Sequence, residues 1–279
     1  MACLTVNFFS RCLMRTVTVQ ALLPVDKMDE NGETLWKKKP FQTLYLLHGI
    51  FGDQMDWMTG TRVQRWAQER NLAVIMPAGE NRFYVDTAAT GEKYGEFIGK
   101  ELVEMTRAMF PLSHRREDTF IGGLSMGGYG AIRNGLKYSE TFGRIAGLSS
   151  GLILNRAIHS DDSAPEFTHR RKYYTAMFGD LDHILGSDLD YQALVKKLLK
   201  EGKEIPQIYL CCGTEDFLLE ENRDFRDFLQ KEGVPFTYEE GPGSHDWDFW
   251  DRYLVRVLDW LPLEEKSIGV SSGNVKVEK

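Results

Sequence analysis

Apolar and polar positions along the chain follow two periods. Residues 15–23, Arg15-Thr16-Val17-Thr18-Val19-Gln20-Ala21-Leu22-Leu23, alternate with a period of two. Residues 3–9 also suit a strand, so Ser10 to Met14 would close an antiparallel pair. Gln42 to Leu47 and Leu72 to Met76 are near-continuous apolar runs of strand length, as expected of strands covered on both faces. Asp118 to Ile121, Arg144 to Leu148, Gln207 to Cys212 and Val234 to Glu239 read as further strands. Helical spacing fills the intervals at Thr61–Arg70, Tyr94–Phe110, Tyr129–Tyr138, Tyr191–Lys200, Leu219–Lys231 and Asp246–Trp260. In the second of these, Phe97, Ile98, Leu102, Met105 and Met109 make one stripe. Strands alternating with helices after an antiparallel start predict an α/β fold. Its sheet should be mostly parallel, with helices on both faces and chemistry at the carboxyl ends of the strands.

Three stretches break the rhythm. Pro24 to Pro40 is polar, with an Asn31-Gly32 turn, and reads as an exposed connection. Ser149 to Asp190 is polar, holds His159, His169 and His183, and carries an aromatic patch at Tyr173, Tyr174 and Phe178. A loop of that length is unusual in a compact domain unless it works as a lid or binding loop. We read it as a lid-like excursion over the strand ends, part loop and part short helices. Glu264 to Lys279 is polar and non-periodic, which suits a flexible tail. The expected organisation is one domain over residues 1–263, with the excursion at 149–190 and a tail at 264–279.

Composition narrows the function. At 279 residues and 42% hydrophobic, the chain can bury one sizeable α/β core. A formal charge of −7 argues against nucleic acid and anionic membrane surfaces as partners. No window approaches the roughly 20 apolar residues of a membrane span. The first ten residues lack the apolar core and cleavage site of a signal peptide. The four cysteines are scattered, and the adjacent Cys211-Cys212 pair sits in an apolar run, more like buried thiols than a bridge. The chain therefore reads as a soluble, reduced, cytoplasmic protein. No metal site or cofactor is expected. No His/Asp/Glu cluster has ligand spacing, and the Gly122–Gly128 stretch lacks the lysine of a phosphate loop.

The chemistry centres on Gly123-Leu124-Ser125-Met126-Gly127, which joins a strand to a helix in the manner of a nucleophile elbow. Such a turn strains the serine backbone, and a Cβ at either flanking glycine would strike the neighbouring strand or helix. A serine at its ordinary pKa needs a base within hydrogen-bond reach, itself oriented by a carboxylate. In this fold class the partners follow the serine in the order acid, then histidine. His48 and His114 precede Ser125, and the three excursion histidines follow no strand. His245 comes after a strand through Gly241-Pro242-Gly243-Ser244 and is the candidate base. The preceding strand runs into Thr214-Glu215-Asp216. Asp216 is favoured as the acid, because Glu215 would serve equally well as a helix cap. The oxyanion donors are expected to be the Met126 amide, at a helix N-terminus, and the Ile50 amide, beside Gly49. His48 is read as structural, holding that loop by hydrogen bonds.

Five motifs in this order resemble the esterase D family of α/β-hydrolases: Leu46-Leu47-His48-Gly49-Ile50, Asn81-Arg82-Phe83-Tyr84-Val85-Asp86, Gly123-Leu124-Ser125-Met126-Gly127-Gly128, Gly213-Thr214-Glu215-Asp216-Phe217-Leu218 and Gly243-Ser244-His245-Asp246-Trp247. That family includes S-formylglutathione hydrolases, tributyrin and feruloyl esterases, and mycolyltransferases. The resemblance covers most of residues 1–262. It implies the α/β-hydrolase fold, the triad Ser125, Asp216 and His245, and the oxyanion donors Ile50 and Met126. It looks closest to the small tributyrin-esterase branch, which implies a serine carboxylesterase acting on short acyl esters, acetyl to butyryl. The alternatives are a feruloyl or sugar acetyl esterase, an S-formylglutathione hydrolase, an acyltransferase on the same triad, or a non-catalytic scaffold. Trp57, Phe83, Tyr84, Tyr129 and the Tyr173-Tyr174-Phe178 patch are candidates to line the substrate pocket. The expected partner is a small-molecule ester, with self-association possible.

Overall fold

The computed structural model describes residues 1–36, 39–263, 269–271 and 274. Its strands are β1 (Ala2–Ser10), β2 (Arg15–Leu23), β3 (Thr43–Leu47), β4 (Ala73–Pro77), β5 (Thr119–Leu124), β6 (Arg144–Leu148), β7 (Gln207–Gly213) and β8 (Phe236–Gly241). They form one sheet in the order β1-β2-β4-β3-β5-β6-β7-β8. The hairpin β1–β2 is antiparallel, from Ala2↔Leu23 to Ser10↔Arg15, and β2 also runs antiparallel to β4. Every pairing from β4 to β8 is parallel. This is the α/β-hydrolase arrangement expected above.

The parallel strands are apolar throughout because both faces of the sheet are covered. Alternation sends Tyr45, Leu47, Ile75, Ile121, Ile145, Ile208 and Leu210 into one core layer. Leu44, Leu46, Val74, Met76, Phe120, Leu148, Tyr209 and Cys211 enter the other. The helices in chain order are α1 (Asp56–Gly60), α2 (Val63–Glu69), α3 (Tyr94–Glu96), α4 (Leu102–Met109), α5 (Met126–Lys137), α6 (Leu154–Ile158), α7 (Arg171–Phe178), α8 (Tyr191–Glu201), α9 (Leu219–Lys231) and α10 (Trp247–Trp260). The first layer packs against α4, α5, α8 and α9, and the second against α1, α2 and α10.

One helix departs from its expected stripe. Phe97–Glu101 forms a π-helical turn between α3 and α4. The wider turn slips the helical register, so Leu102, Val103 and Thr106 face inward while Met109 is exposed. Glu101, at the end of that turn, is buried. Its carboxylate accepts from the Ser10 hydroxyl and the Arg11 and Cys12 amides at the β1–β2 turn.

Residues 149–190 hold α6, α7 and two short 3-10 turns, Phe167–His169 and Leu181–His183, as the sequence led us to expect. Of the C-terminal stretch from 264 on, most residues lie outside those described. Val270 donates its amide to the Met28 carbonyl. Among the described residues no helix is long and apolar enough to cross a membrane.

Candidate active site

The turn after β5 is as strained as its sequence suggested. Ser125 sits at φ 52°, ψ −119°, between the last residue of β5 and the first of α5. Three backbone hydrogen bonds hold it there. Its amide donates to Leu148 O (3.0 Å), and its carbonyl accepts from the Gly151 (2.7 Å) and Tyr129 (3.1 Å) amides. Strain of this kind persists only where the surroundings over-determine it. The flanking glycines are compulsory. A Cβ on Gly123 would lie 2.4 Å from Gly127 O, and one on Gly127 would lie 2.4 Å from Leu47 O.

Two loops bring the remaining groups together. After β7, Asp216 turns its carboxylate inward, where it accepts the Leu218 amide at 2.9 Å. Glu215 turns the other way. Its carboxylate accepts the Gly243 amide (2.6 Å), and its own amide donates to Gly243 O (3.1 Å), clasping the loop after β8. That loop delivers His245. Its Nδ1 lies 2.9 and 3.1 Å from the two Asp216 oxygens, and its Nε2 lies 3.0 Å from Ser125 Oγ. Burial by itself would raise the Asp216 pKa. The hydrogen bond and charge of His245, with smaller help from the Leu218 amide and the Ser149 hydroxyl, outweigh burial and hold the carboxyl below its ordinary value. The carboxylate thus stays ionised and orients the imidazole. The Phe217 and Trp250 rings pack on that imidazole, with centroids at 4.6 and 4.9 Å.

The loop after β3 meets the elbow from the other side. Gly49 comes so close that a Cβ there would lie 2.6 Å from Leu124 Cδ1 and 3.5 Å from Ser125 Cβ. His48 is buried, and burial lowers its pKa, so the ring is neutral. The Gly79 amide donates to its Nε2 (2.8 Å), which leaves the proton on Nδ1 to donate to Gly49 O (2.7 Å). Gly49 O and the Ile50 N–H belong to one peptide plane, so His48 fixes the direction of that N–H. The Tyr84 hydroxyl adds a second restraint by donating to His48 O at 3.0 Å. Met126 is the first residue of α5, so its amide has no acceptor within the helix and points from the positive end of the helix dipole.

A cavity of about 600 Å³ opens over Ser125. Ile50, Phe51 and Asp56 line one side of it. Ile153, Arg156, His169, Tyr173 and Tyr174 come from the excursion, and Phe217, Trp247 and Trp250 from the acid and histidine side. Three of the aromatic residues proposed for the pocket are elsewhere. Trp57 is buried with its Nε1–H on Leu47 O, Tyr84 bonds His48 O as above, and Tyr129 donates to Leu189 O. Each satisfies its polar atom on backbone and spends its ring on the core. Phe83 does line the cavity, as do Tyr173 and Tyr174, whereas Phe178 packs behind on Phe83. Phe217, Trp247 and Trp250 were missed as lining residues. Their signal was position in sequence: Phe217 follows Asp216, and Trp247 and Trp250 lie in the helix that begins just after His245.

The fold, with a strained serine in contact with a histidine and that histidine with a buried carboxylate, defines the class of α/β-hydrolase serine hydrolases. The family model described as "Putative esterase" matches residues 10–261, and the chain belongs to that family. An acetyl esterase of Caldicellulosiruptor saccharolyticus is 46% identical over 261 residues, covering 94% of this chain and 98% of the relative. Two solved structures from Staphylococcus aureus are similar in fold and sequence. The fluorophosphonate-binding serine hydrolase FphF has a TM-score of 0.82 at 32% identity, covering 93% of this chain and 98% of that one. The S-formylglutathione hydrolase FrmB has a TM-score of 0.80 at 33% identity, with the same coverage. The activity of this chain is serine-dependent carboxylic ester hydrolysis.

Proposed function

We propose that the protein hydrolyses short-acyl esters, acetyl to butyryl, through an acyl-enzyme on Ser125. His245 takes the Ser125 proton, the oxygen attacks the ester carbonyl, and the alkoxide so formed lies against the Ile50 and Met126 amides. His245 then protonates the leaving alcohol. Water enters, gives its proton to His245 and releases the acid, while Asp216 remains ionised and stabilises the imidazolium. The observation that carries this reading is the continuous line of contacts from Asp216 through His245 to Ser125 Oγ. The short-acyl preference is supported by the similarity to an acetyl esterase.

No cofactor takes part in this route. We place the enzyme in the cytoplasm, in keeping with four free thiols, two of them buried. The test is Ser125→Ala assayed on p-nitrophenyl acetate and butyrate, with longer and aromatic acyl esters alongside. Loss of a triad serine costs about a millionfold in kcat, so turnover should vanish. Near-normal turnover in that variant would sink the triad. A preference for hydroxycinnamoyl over acetyl esters in the wild type would sink the substrate class.

A further inference from the structure

The segment that follows β6 is held from three sides. The Ser149 amide donates to Cys211 O at 2.7 Å, and the Gly151 amide donates to Ser125 O at 2.7 Å. The third hold comes from Asn222, a fully buried residue on α9. Its Oδ1 accepts the Ser150 amide at 3.1 Å. Its Nδ2 donates to Ser150 O at 3.0 Å and to Leu218 O at 2.8 Å. Two carbonyls face one end of the side-chain amide and an N–H faces the other, so the contacts admit only this orientation of it. A buried amide is costly unless its groups are bonded, and here three bonds offset the cost. One of them is local, to the N-cap of α9. The other two grip both backbone polar groups of Ser150, 72 residues away in sequence.

We infer that Asn222 is a positioning residue for the oxyanion site, aiming the Met126 amide by way of two peptide planes. This deepens the proposed function and rests on it. A peptide unit is planar and trans, so holding its carbonyl fixes the direction of its N–H. Ser150 O and the Gly151 N–H belong to one such unit, and Ser125 O and the Met126 N–H belong to another. Asn222 Nδ2 holds the first carbonyl, and the N–H of that unit donates to the second. The Tyr129 amide also donates to Ser125 O, at 3.1 Å, so this carbonyl is held both from its own helix and from the β6 side. Gly151 lets the two units meet: a Cβ there would lie 3.2 Å from Ser125 O and 3.4 Å from Met126 N. His48 serves the Ile50 N–H in the same way, through Gly49 O. Each oxyanion donor thus has a buried polar side chain behind its peptide, His48 directly and Asn222 at one remove.

The competing role for Asn222 is to act on the acid through Leu218. Leu218 O, its third partner, shares a peptide unit with the Leu219 N–H, whereas the Leu218 N–H that bonds Asp216 belongs to the unit before. Among the described residues the Asn222 side chain bonds neither Asp216 nor His245. Its loss should therefore reach the oxyanion and spare the acid–base pair, and those two effects are separable.

The experiment compares Asn222→Ala with wild type on p-nitrophenyl acetate, with active sites counted by end-point fluorophosphonate titration so that unfolded protein does not enter. Should that variant not fold, Asn222→Asp is judged in its place. It keeps the shape and an acceptor for the Ser150 amide, and a carboxyl has at most one hydrogen to give where asparagine gives two. For Asn222→Ala, kcat should fall roughly tenfold, a part of what a whole oxyanion donor is worth, with KM within about twofold. Affinity for a trifluoromethyl ketone should fall by a like factor, because its adduct with Ser125 places an oxyanion at the same amides. The acid limb of the kcat/KM profile should stay in place, since it reports His245. Asn222→Asp should lose less, in the same pattern. Wild-type kcat and ketone affinity in the variant so judged, whatever its thermal stability, would overturn the inference. A loss of kcat with a moved acid limb would overturn it too, by assigning the effect to Asp216. If the wild type itself takes up no fluorophosphonate on Ser125, it is the proposed function that fails, and the two failures are thereby told apart.

Discussion

The two walls of the active-site cavity are built on different principles. On the strand-end side, the contacts fall on the main chain of the groups they hold: three main-chain hydrogen bonds at Ser125, the His48 ring on the carbonyl of the Gly49–Ile50 peptide, and the Glu215 amide and carboxylate on Gly243 of the His245 loop. On the excursion side, Arg156, His169, Tyr173 and Tyr174 project from short helices, tied down largely by side chains. Tyr129 reaches Leu189 O, the buried Arg133 bonds the Asp188 backbone and carboxylate, and Arg171 pairs with an exposed Asp182. On the proposed function, the groups that would meet the transition state thus lie on the wall held at its main chain, and we infer that the opposite wall meets the rest of the substrate. Substitutions on the first wall should therefore act on kcat, and those on the second on KM.

The oxyanion loop offers the largest effect. His48→Ala removes the donor on Gly49 O and leaves the buried Gly79 amide without its acceptor. If the Ile50 N–H then swings away, the loss should approach that of an oxyanion donor, about a hundredfold in kcat, with KM little changed. His48→Asn, whose amide nitrogen falls near the place of Nδ1, should recover part of it. Steady-state kinetics on p-nitrophenyl acetate decides the matter. A hundredfold rise in KM at constant kcat would show that this wall binds substrate in place of orienting the peptide.

The opposite wall should respond differently. Phe167 packs on Tyr173 and, at 6.2 Å, on Phe51 of the oxyanion loop, so the two walls touch at the cavity mouth. Tyr173→Ala removes apolar surface from the cavity lining and Phe167→Ala the ring that packs on it, surface that an ester in the cavity would meet alike in ground and transition states. KM should rise about three- to tenfold with kcat within twofold, the signature of lost uniform binding. The rise should be steeper for butyrate than for acetate esters. A fall in kcat as large as that of His48→Ala would erase the distinction between the walls.

The same contrast governs what the sequence disclosed. The elbow was legible because strain and close approach restrict residue type: only glycine fits at 123 and 127. Asp216 and His245 were legible because each follows a strand, in the chain order the fold imposes. The cavity wall was not, because an aromatic residue has the same composition whether it faces core or cavity. Trp57, Tyr84 and Tyr129 went inward on the strength of backbone acceptors that no pattern announces. The π-helical turn at Phe97–Glu101 was hidden for a similar reason. Its extra residue shifts the buried face without changing the apolar count, which misdirected Met109.

The smallest effect concerns how each wall is held. Glu240 on β8 takes a two-pronged contact from Arg223 on α9, at 2.7 and 2.8 Å, and a hydrogen bond from Tyr238 (2.8 Å). This pair ties together the two elements that carry the Asp216 and His245 loops. The hydrogen bonds and charge of Arg223, with Tyr238 and Arg226, outweigh partial burial and hold the Glu240 carboxyl down at about 2. A carboxyl depressed in the folded state contributes stability that is complete above its unfolded value of about 4.3 and is lost as pH falls through the folded one. Because the group is partly solvated, Glu240→Gln should cost only about 1 kcal/mol at pH 7, some 2 °C in Tm. The gap from wild type should close between about pH 5 and pH 2, as the wild-type carboxylate takes up its proton. On the excursion, Asp182 pairs with Arg171 while mostly exposed, so Asp182→Asn should change stability by less than about 0.5 kcal/mol at any of these pH values. Thermal denaturation of the three proteins across that range tests the point. Equal losses at pH 7 for Glu240→Gln and Asp182→Asn would mean that the frame is no better fixed than the excursion, and rigidity would then have to reside in the main-chain contacts at Ser125, Gly49 and Gly243 alone.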